Sequence, residues 1–186
     1  MLSVINNAVR RGAEIVNNIR EYLRGNGEVP TRVDMRKLLE EVLQFARPML
    51  EMRPNIRVTH DVQDDCEVYA SPAELRRVCT NLILNALDAM PQGGVLTILC
   101  FRSNGRMTVS VEDTGDGIPF ETQKMIFSPY FTTKAKGTGL GLSGARKAIQ
   151  AQGGDIHFKS SPGEGTTFFV SLPITKEQKR PNPQAA

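Results

Sequence analysis

The fold is decided by the stretch Asn81-Leu82-Ile83-Leu84-Asn85-Ala86-Leu87-Asp88. It places two amides among residues that are otherwise apolar up to Asp88. Asn81 and Asn85 are four residues apart and Asp88 follows three later, so a helix puts all three on one face. Asparagine in a buried helix is unfavourable unless its amide finds hydrogen-bond partners. The motif predicts a polar ligand above this face, or amides satisfied by backbone or water, and alone it leaves both open.

This central helix has clear ends. Ser71-Pro72-Ala73-Glu74 is a capping box with proline at the first helical position, and Pro91-Gln92-Gly93-Gly94 forces a turn, so the helix is predicted from Pro72 to about Met90. An earlier amphipathic helix is capped by Asp34, carries Phe45 in its apolar stripe and is predicted to kink at Pro48.

The rest of the chain alternates strands and helices. Asn104-Gly105 suits a tight hairpin, and Ser161-Pro162-Gly163 connects a second one. Strands are predicted over residues 56–62, 67–69, 95–101, 107–112, 155–160 and 166–172, with helices over 120–126 and 140–152. This order predicts an α+β fold, with an antiparallel or mixed sheet and helices on one face.

Three further segments carry functional signals. Asp113-Thr114-Gly115-Asp116-Gly117 follows a strand, so its carboxylate can accept from a buried donor, although such a segment is more often only a turn. Gly137-Thr138-Gly139-Leu140-Gly141 opens a helix, where free backbone amides suit a phosphate. Between them, residues 127–134 place aromatic side chains and Lys134 in a loop. This loop is either a lid whose lysine reaches a phosphate, or a solvated loop with one anchoring aromatic residue. Gly163 and Gly165 more simply make a bend.

Taken in order, the four signals resemble the N, G1, F and G2 boxes of sensor histidine kinases. Their fold, an α/β two-layer sandwich, is shared by the gyrase, heat-shock-chaperone and mismatch-repair ATPases. Asn81 to Pro91 together with Phe131-Thr132-Thr133-Lys134 is closest to the nitrogen-regulation branch, and the resemblance covers residues 33–173.

The resemblance implies a binding site for ATP and Mg²⁺. Asn85 would supply an amide oxygen to Mg²⁺, Asp113 would accept from the adenine amino group, and Lys134 would contact phosphate. Asn85 and Lys134 are thus the implied catalytic residues. The implied nucleotide-binding set is Asn81, Asn85, Asp113, Gly115, Gly117, Lys134, Gly137, Thr138, Gly139, Leu140, Gly141 and Thr166, the last as a support for Asp113.

The residue at position 81 indicates whether the site would hydrolyse ATP or transfer its phosphoryl group to another nucleophile. The hydrolysing relatives in this superfamily carry a glutamate four residues before the magnesium asparagine, where a general base can activate water. Asn81 stands there in this chain, and an amide is no base at neutral pH. We therefore expect slow hydrolysis and transfer to a supplied nucleophile, which in the resembling kinases is a histidine on a helix.

That histidine is not evident in this sequence. His60 and His157 both fall in predicted strands, which does not match the family's helical acceptor. Residues 3–24 carry a heptad pattern and resemble the second helix of the dimerisation and phosphotransfer hairpin, although a helix packed on its own domain is the alternative. The expected organisation is a partial hairpin helix (1–27), an ATP-binding catalytic domain (28–174) and a disordered polar tail (175–186). We expect either the C-terminal part of a longer kinase or a short protein acting in trans.

Composition limits the other function classes. The chain of 186 residues is 40% hydrophobic and 23% charged, with a net charge of +3 and scattered basic residues, so nucleic acid is not an expected partner. Three cysteines without a close pair argue against zinc or disulfides. No segment reaches the length of a membrane span, which predicts a cytoplasmic chain and leaves a membrane-associated parent protein open.

The sequence thus predicts a kinase domain that binds Mg-ATP and transfers the γ-phosphoryl group to a histidine for relay to a response-regulator aspartate. A homodimer through residues 3–24 is a further expectation. The alternative is a nucleotide-sensing or degenerate interaction module, and a self-contained ATPase is disfavoured by Asn81.

Overall fold

The computed structural model describes residues 29–134 and 137–174. These residues form seven strands and four helices. In chain order they are β1 (Thr31–Asp34), α1 (Met35–Glu51), β2 (Ile56–Val62), β3 (Glu67–Ala70), α2 (Pro72–Ala89), β4 (Gly94–Ser103), β5 (Arg106–Asp113), α3 (Phe120–Gln123), α4 (Gly141–Gln150), β6 (Asp155–Ser161) and β7 (Gly165–Pro173).

The main sheet has five strands in the order β2-β4-β5-β7-β6. Strands β2 and β4 pair in parallel and the other neighbours are antiparallel, so the sheet is mixed. Strands β1 and β3 form a separate antiparallel pair. The buried apolar residues of the sheet and of α1, α2 and α4 make one core. The predicted α+β two-layer architecture is confirmed.

Helix α2 is the centre of this core. The Oγ atom of Ser71 accepts from the backbone N–H of Glu74 at 3.3 Å, and Pro72 is the first helical residue, as the capping box predicts. Seven of its side chains are buried: Leu75, Val78, Cys79, Leu82, Ile83, Ala86 and Leu87. Burial of this many side chains fixes the rotation of the helix and therefore the direction of its polar stripe.

Helix α1 differs from its sequence prediction in one respect. Asp34 caps it as predicted, accepting from the N–H groups of Arg36 at 3.0 Å and Lys37 at 3.3 Å. The helix continues through Pro48 to Glu51. Phe45, however, is 61% exposed, so its place in the predicted apolar stripe was wrong.

The smaller departures lie at element ends. Strand β1 was not predicted, because four residues are too few to establish an alternating pattern. Helix α3 ends at Gln123 instead of continuing to residue 126, and α4 begins at Gly141. The hairpin turn at Asn104 and Gly105 is confirmed, since both have positive φ (50° and 72°).

Within residues 29–134 and 137–174, no helix is both long and apolar enough to span a membrane. The predicted hairpin helix at residues 3–24 and the predicted tail at 175–186 lie outside the described residues.

Candidate functional site

The three sequence motifs meet along the polar side of α2. The loop after β5 lies against the end of α2, where Asp116 donates from its backbone N–H to the carbonyl of Ala89 at 3.1 Å. The start of α4 lies against Asn81, because a Cβ added to Gly141 would come within 2.4 Å of the Asn81 Oδ1 atom. Lys134 reaches Asn85 from the loop between α3 and α4. Segments distant in sequence therefore surround one face of one helix.

Asp113 is a buried carboxylate at the end of β5. It is 4% exposed, and its Oδ1 atom accepts from the Gly115 backbone N–H at 3.0 Å. Burial raises the pKa of this carboxyl above its ordinary value, while the backbone N–H groups of Gly115 and Thr166 act in the opposite direction. A buried acid with acceptor capacity to spare can receive a hydrogen bond from a ligand amino group.

Thr166 supports Asp113, but through its backbone. Thr166 pairs with Asp113 across β5 and β7, and its N–H lowers the pKa of the carboxyl. Its hydroxyl instead lies 2.9 Å from the Ser160 Oγ atom. The hydroxyl therefore acts on the neighbouring strand, not directly on the acid.

Ser160 is a site residue that sequence reasoning missed. Its Oγ atom accepts from the Ile118 N–H at 2.8 Å and also contacts the carbonyl of Gly165 at 3.0 Å. Gln123 donates to the Ile118 carbonyl at 2.9 Å, which holds the same segment from the other side. These contacts fix the loop that follows Asp113. The Ser160–Ile118 contact joins residues 42 positions apart, so no local pattern signals it.

The two glycines of this loop are required by close approach. A Cβ on Gly115 would lie 2.3 Å from the Ala89 carbonyl oxygen, and one on Gly117 would lie 2.1 Å from the carbonyl oxygen of Ser161. Gly117 also has a φ of +67°. A side chain at either position would push the loop away from α2 or from β6.

Asn81 carries an unpaired amide. Its Nδ2 atom is buried and has no hydrogen-bond partner among the described residues. A buried donor without a partner costs free energy, and a polar ligand that accepted from this atom would recover that cost. Gly141 lies so close to Asn81 that a Cβ there would be 3.3 Å from the Nδ2 atom.

The glycine loop before α4 packs against the aromatic segment that precedes it in the chain. Gly139 has a φ of +68°, and its carbonyl accepts from the Tyr130 N–H at 2.9 Å. Gly137 lies against the Thr132 side chain. Leu140 is buried, so its side chain serves packing, whereas Thr138 is half-buried.

The aromatic segment itself is anchored. Phe127 packs against Phe158 and Phe168, with ring centroids 6.0 and 6.4 Å away, and the guanidinium of Arg146 lies 5.0 Å from the Phe127 ring centre. Tyr130 is 71% exposed. Phe127 therefore anchors this segment, and Phe131 also packs against the core.

Lys134, for which the sequence predicts a contact with phosphate, lies beside Asn85 and Asp88. Its Nζ atom donates to the Asn85 Oδ1 atom at 2.8 Å and pairs with the Asp88 carboxylate at 2.9 Å. A cation thus sits between two oxygens of α2, which are oxygen donors of the kind that hard metal cations prefer.

The cysteines take no part in this chemistry. Cys66, Cys79 and Cys100 are free and buried. Burial raises the pKa of the Cys79 thiol to about 12, and it raises the pKa of Cys100 as well. The Cys79 and Cys100 thiols are therefore protonated at neutral pH, which makes them poor nucleophiles and poor metal ligands.

Four features together define an ATPase-type domain. They are a mixed sheet with helices on one face, an acid at a strand end, two asparagines on one helix, and a glycine loop that begins a second helix beside them. The chain belongs to the histidine kinase-, DNA gyrase B-, and HSP90-like ATPase family, whose model matches residues 70–176.

Among the proteins similar in sequence to this chain are sensor histidine kinases. ZraS of Klebsiella oxytoca is 36% identical over 167 residues, which make up 89% of this chain and 36% of that protein. AtoS of Escherichia coli (strain K12) is 32% identical over 182 residues, or 95% of this chain and 29% of that protein. The chain therefore spans little more than a third of the length of the first of these relatives and less of the second.

Solved structures agree with this assignment. The nucleotide-free catalytic domain of histidine kinase ThkA has a TM-score of 0.71 and 33% identity, and the match covers 78% of this chain and 95% of that domain. Histidine kinase ThkA in complex with the response regulator protein TrrA has a TM-score of 0.77 and 30% identity, over 92% of this chain and 50% of the other.

Proposed function

We propose that this chain binds Mg-ATP and transfers the γ-phosphoryl group to a histidine on a dimerisation and phosphotransfer helix, for relay to a response-regulator aspartate. The observation that carries the proposal is the convergence of Asp113, the two asparagines of α2 and the glycine loop on one face of α2. An acceptor for a base at one end, and donors for phosphates at the other, match the two ends of a purine nucleotide.

The adenine end rests on Asp113. Its carboxylate is buried and accepts from backbone N–H groups, so it can discriminate for a ligand that offers an amino group. Gly115 and Gly117 would line this end, because their backbone is bare of side chains and their positions are fixed by α2 and β6. Thr166 would keep the carboxyl oriented through its backbone N–H.

The phosphate end rests on Asn81 and the start of α4. The unpaired Nδ2 atom of Asn81 supports this assignment, because an anionic phosphate oxygen could accept a hydrogen bond from it. Gly137, Thr138, Gly139, Leu140 and Gly141 would supply backbone N–H groups at the positive end of the α4 dipole.

The metal end rests on Asn85. The oxygens of Asn85 and Asp88 already hold the Lys134 ammonium, so this corner accepts a cation. Mg²⁺ bound there would neutralise charge on the phosphates, and it needs only one or two protein oxygens because it retains waters and phosphate ligands. Lys134 would add a second positive charge for the transferring group.

The acceptor is expected on a separate helix. His60 lies on β2 and His157 on β6, where its ring stacks on Phe169 at 4.9 Å, so neither stands on a helix. Asn81 offers no base for water. We propose that residues 1–27 belong to the phosphotransfer hairpin, that 28–174 are the catalytic domain, and that the histidine helix comes from the parent protein or from a partner. A homodimer through residues 3–24 and a response regulator are the further proposed partners.

The test supplies that helix to the full chain. Labelled ATP and Mg²⁺ are mixed with this chain and a fragment carrying a family histidine helix, and the label on the fragment is followed. We expect label that is stable to base and labile to acid, as a phosphohistidine is. ATP binding without transfer to any family fragment would favour an interaction module, whereas steady phosphate release without a fragment would indicate a self-contained ATPase.

A glycine substitution tests the phosphate end. In Gly139→Ala, the positive φ of +68° costs about 1 kcal/mol. In addition, the new Cβ would lie 2.3 Å from the Tyr130 carbonyl carbon, so backbone must move. We expect ATP affinity to fall about tenfold or more by calorimetric titration, because the amides at the start of α4 are displaced.

Gly105→Ala is the matched control. Gly105 has a similar φ of +72°, but nothing lies within 4 Å of its added Cβ. It should show the backbone strain as a lower melting temperature and leave ATP affinity unchanged. Equal ATP affinities in the two variants would contradict the phosphate-site assignment of the glycine loop.

A further inference from the structure

A cluster of three charged side chains lies beside Asn85. Asp88 is its centre: one carboxylate oxygen is 2.9 Å from Lys134 Nζ, and the other is 3.3 Å from Arg53 Nη2. Arg53 comes from the connection between α1 and β2, and Lys134 from the loop before Gly137. Neither Asp88 nor Arg53 belongs to the nucleotide-binding set that the sequence implies.

The geometry makes Asp88 more than an ordinary surface charge. Lys134 and Asp88 are 44% and 45% exposed, and one half-exposed ion pair by itself contributes little. Here, however, the ammonium contacts two oxygens on the same rigid helix, because Asn85 and Asp88 lie three residues apart on α2. Arg53 restrains the carboxylate from its other side, so less side-chain entropy is lost when Lys134 joins it.

The position of Lys134 has a consequence for the proposed site. Its ammonium donates to Asn85 Oδ1, the atom proposed to face Mg²⁺. Two cations cannot use the same side of one amide oxygen at close range without strong repulsion. Binding of Mg-ATP at the proposed site would therefore move the lysine, and phosphate oxygens would give it a new partner.

We propose that Asp88 is a positioning residue that holds Lys134 on Asn85 in the nucleotide-free chain, and that Mg-ATP takes Lys134 away from Asp88. The first half stands on the contacts of Asp88, while the second half rests on the proposed function. The lysine then serves as an internal counter-cation until the nucleotide arrives. Asp88 keeps the loop that carries Lys134 beside α2 before binding.

The reactivity of the Lys134 amine tests this directly. The full chain is acylated briefly with an amine-reactive ester, and mass spectrometry compares Lys134 with Lys124, an exposed lysine of the same connection. Without nucleotide, Asp88→Asn should raise the relative rate at Lys134 about three- to fivefold, because the amine loses its charged partner. Asp88→Glu keeps the charge and should remain near the wild-type rate.

Glu41→Gln is the matched control. It breaks the Arg76–Glu41 ion pair, which has an N–O distance of 2.8 Å and similar exposure, and which also joins α1 to α2. The rate at Lys134 should not change in this variant. A nucleotide-free rate that is equal in Asp88→Asn and wild type would overturn the positioning role.

The displacement of Lys134 by nucleotide is tested by repeating the acylation with saturating Mg²⁺ and a non-hydrolysable ATP analogue. The ratio of Lys134 rates between Asp88→Asn and wild type should fall to unity, since Lys134 no longer uses Asp88. A ratio that keeps its nucleotide-free value would overturn the displacement. If calorimetry shows that the wild-type chain binds no Mg-ATP, the proposed function fails, and the nucleotide-free ratio still decides the role of Asp88.

Discussion

Asp113→Ala is expected to lower ATP affinity by about 100-fold or more, measured by calorimetric titration. The reason is the burial of this carboxylate: at 4% exposure, bulk water has little access to the place of the lost acceptor and cannot replace its hydrogen bond to the ligand. A pocket built around one acceptor loses both the hydrogen bond and the preference for adenine when that acceptor is removed. Binding of GTP should be affected less than binding of ATP.

The control is Asp116→Ala in the same loop. Asp116 is exposed, and the loop holds it through its backbone, which donates to Ala89 and accepts from Gly163. This variant removes the same charge at nearly the same place in sequence and should bind ATP almost as the wild type does. Wild-type ATP affinity in Asp113→Ala, with the circular dichroism spectrum preserved, would remove the adenine assignment.

The framework of the site was predictable because each of its parts has a local physical signature. Ser71 and Pro72 indicate the start of α2. The spacing of Asn81 and Asn85 places both amides on one helical face. The glycines of residues 137–141 indicate a backbone whose N–H groups are free of side chains at the start of a helix. Each signature needs only neighbouring residues, so it can be recognised before the chain is folded.

The contacts across the fold were not predictable in this way. Ser160 holds the loop after Asp113 only because β6 lies beside β7, and β7 beside β5. Phe45 follows a helical apolar spacing, but none of the described elements covers it, since amphipathic spacing indicates a face and does not supply a partner for every residue on it. The partnership of Asp88 and Lys134 likewise depends on the path of a loop between two helices.

Asn85→Ala is expected to reduce phosphoryl transfer to a supplied histidine helix about 100- to 1,000-fold. Phosphoryl transfer depends on positioning and on neutralising charge, and this change removes the amide oxygen proposed for Mg²⁺. The measurement is the initial rate of label transfer at saturating ATP, so that weaker binding does not contribute.

Two comparisons make this result specific to the metal. ATP affinity measured with a chelator present should be nearly the same in Asn85→Ala and wild type, whereas Asp113→Ala should lose affinity with or without Mg²⁺. Asn55→Ala makes the same chemical change at an exposed asparagine before β2 and should transfer normally. If Asn85→Ala transfers at the wild-type rate, Asn85 is not the magnesium ligand. The cation corner formed with Asp88 would then serve Lys134 alone, because the oxygen that the lysine contacts would have no second cation to receive.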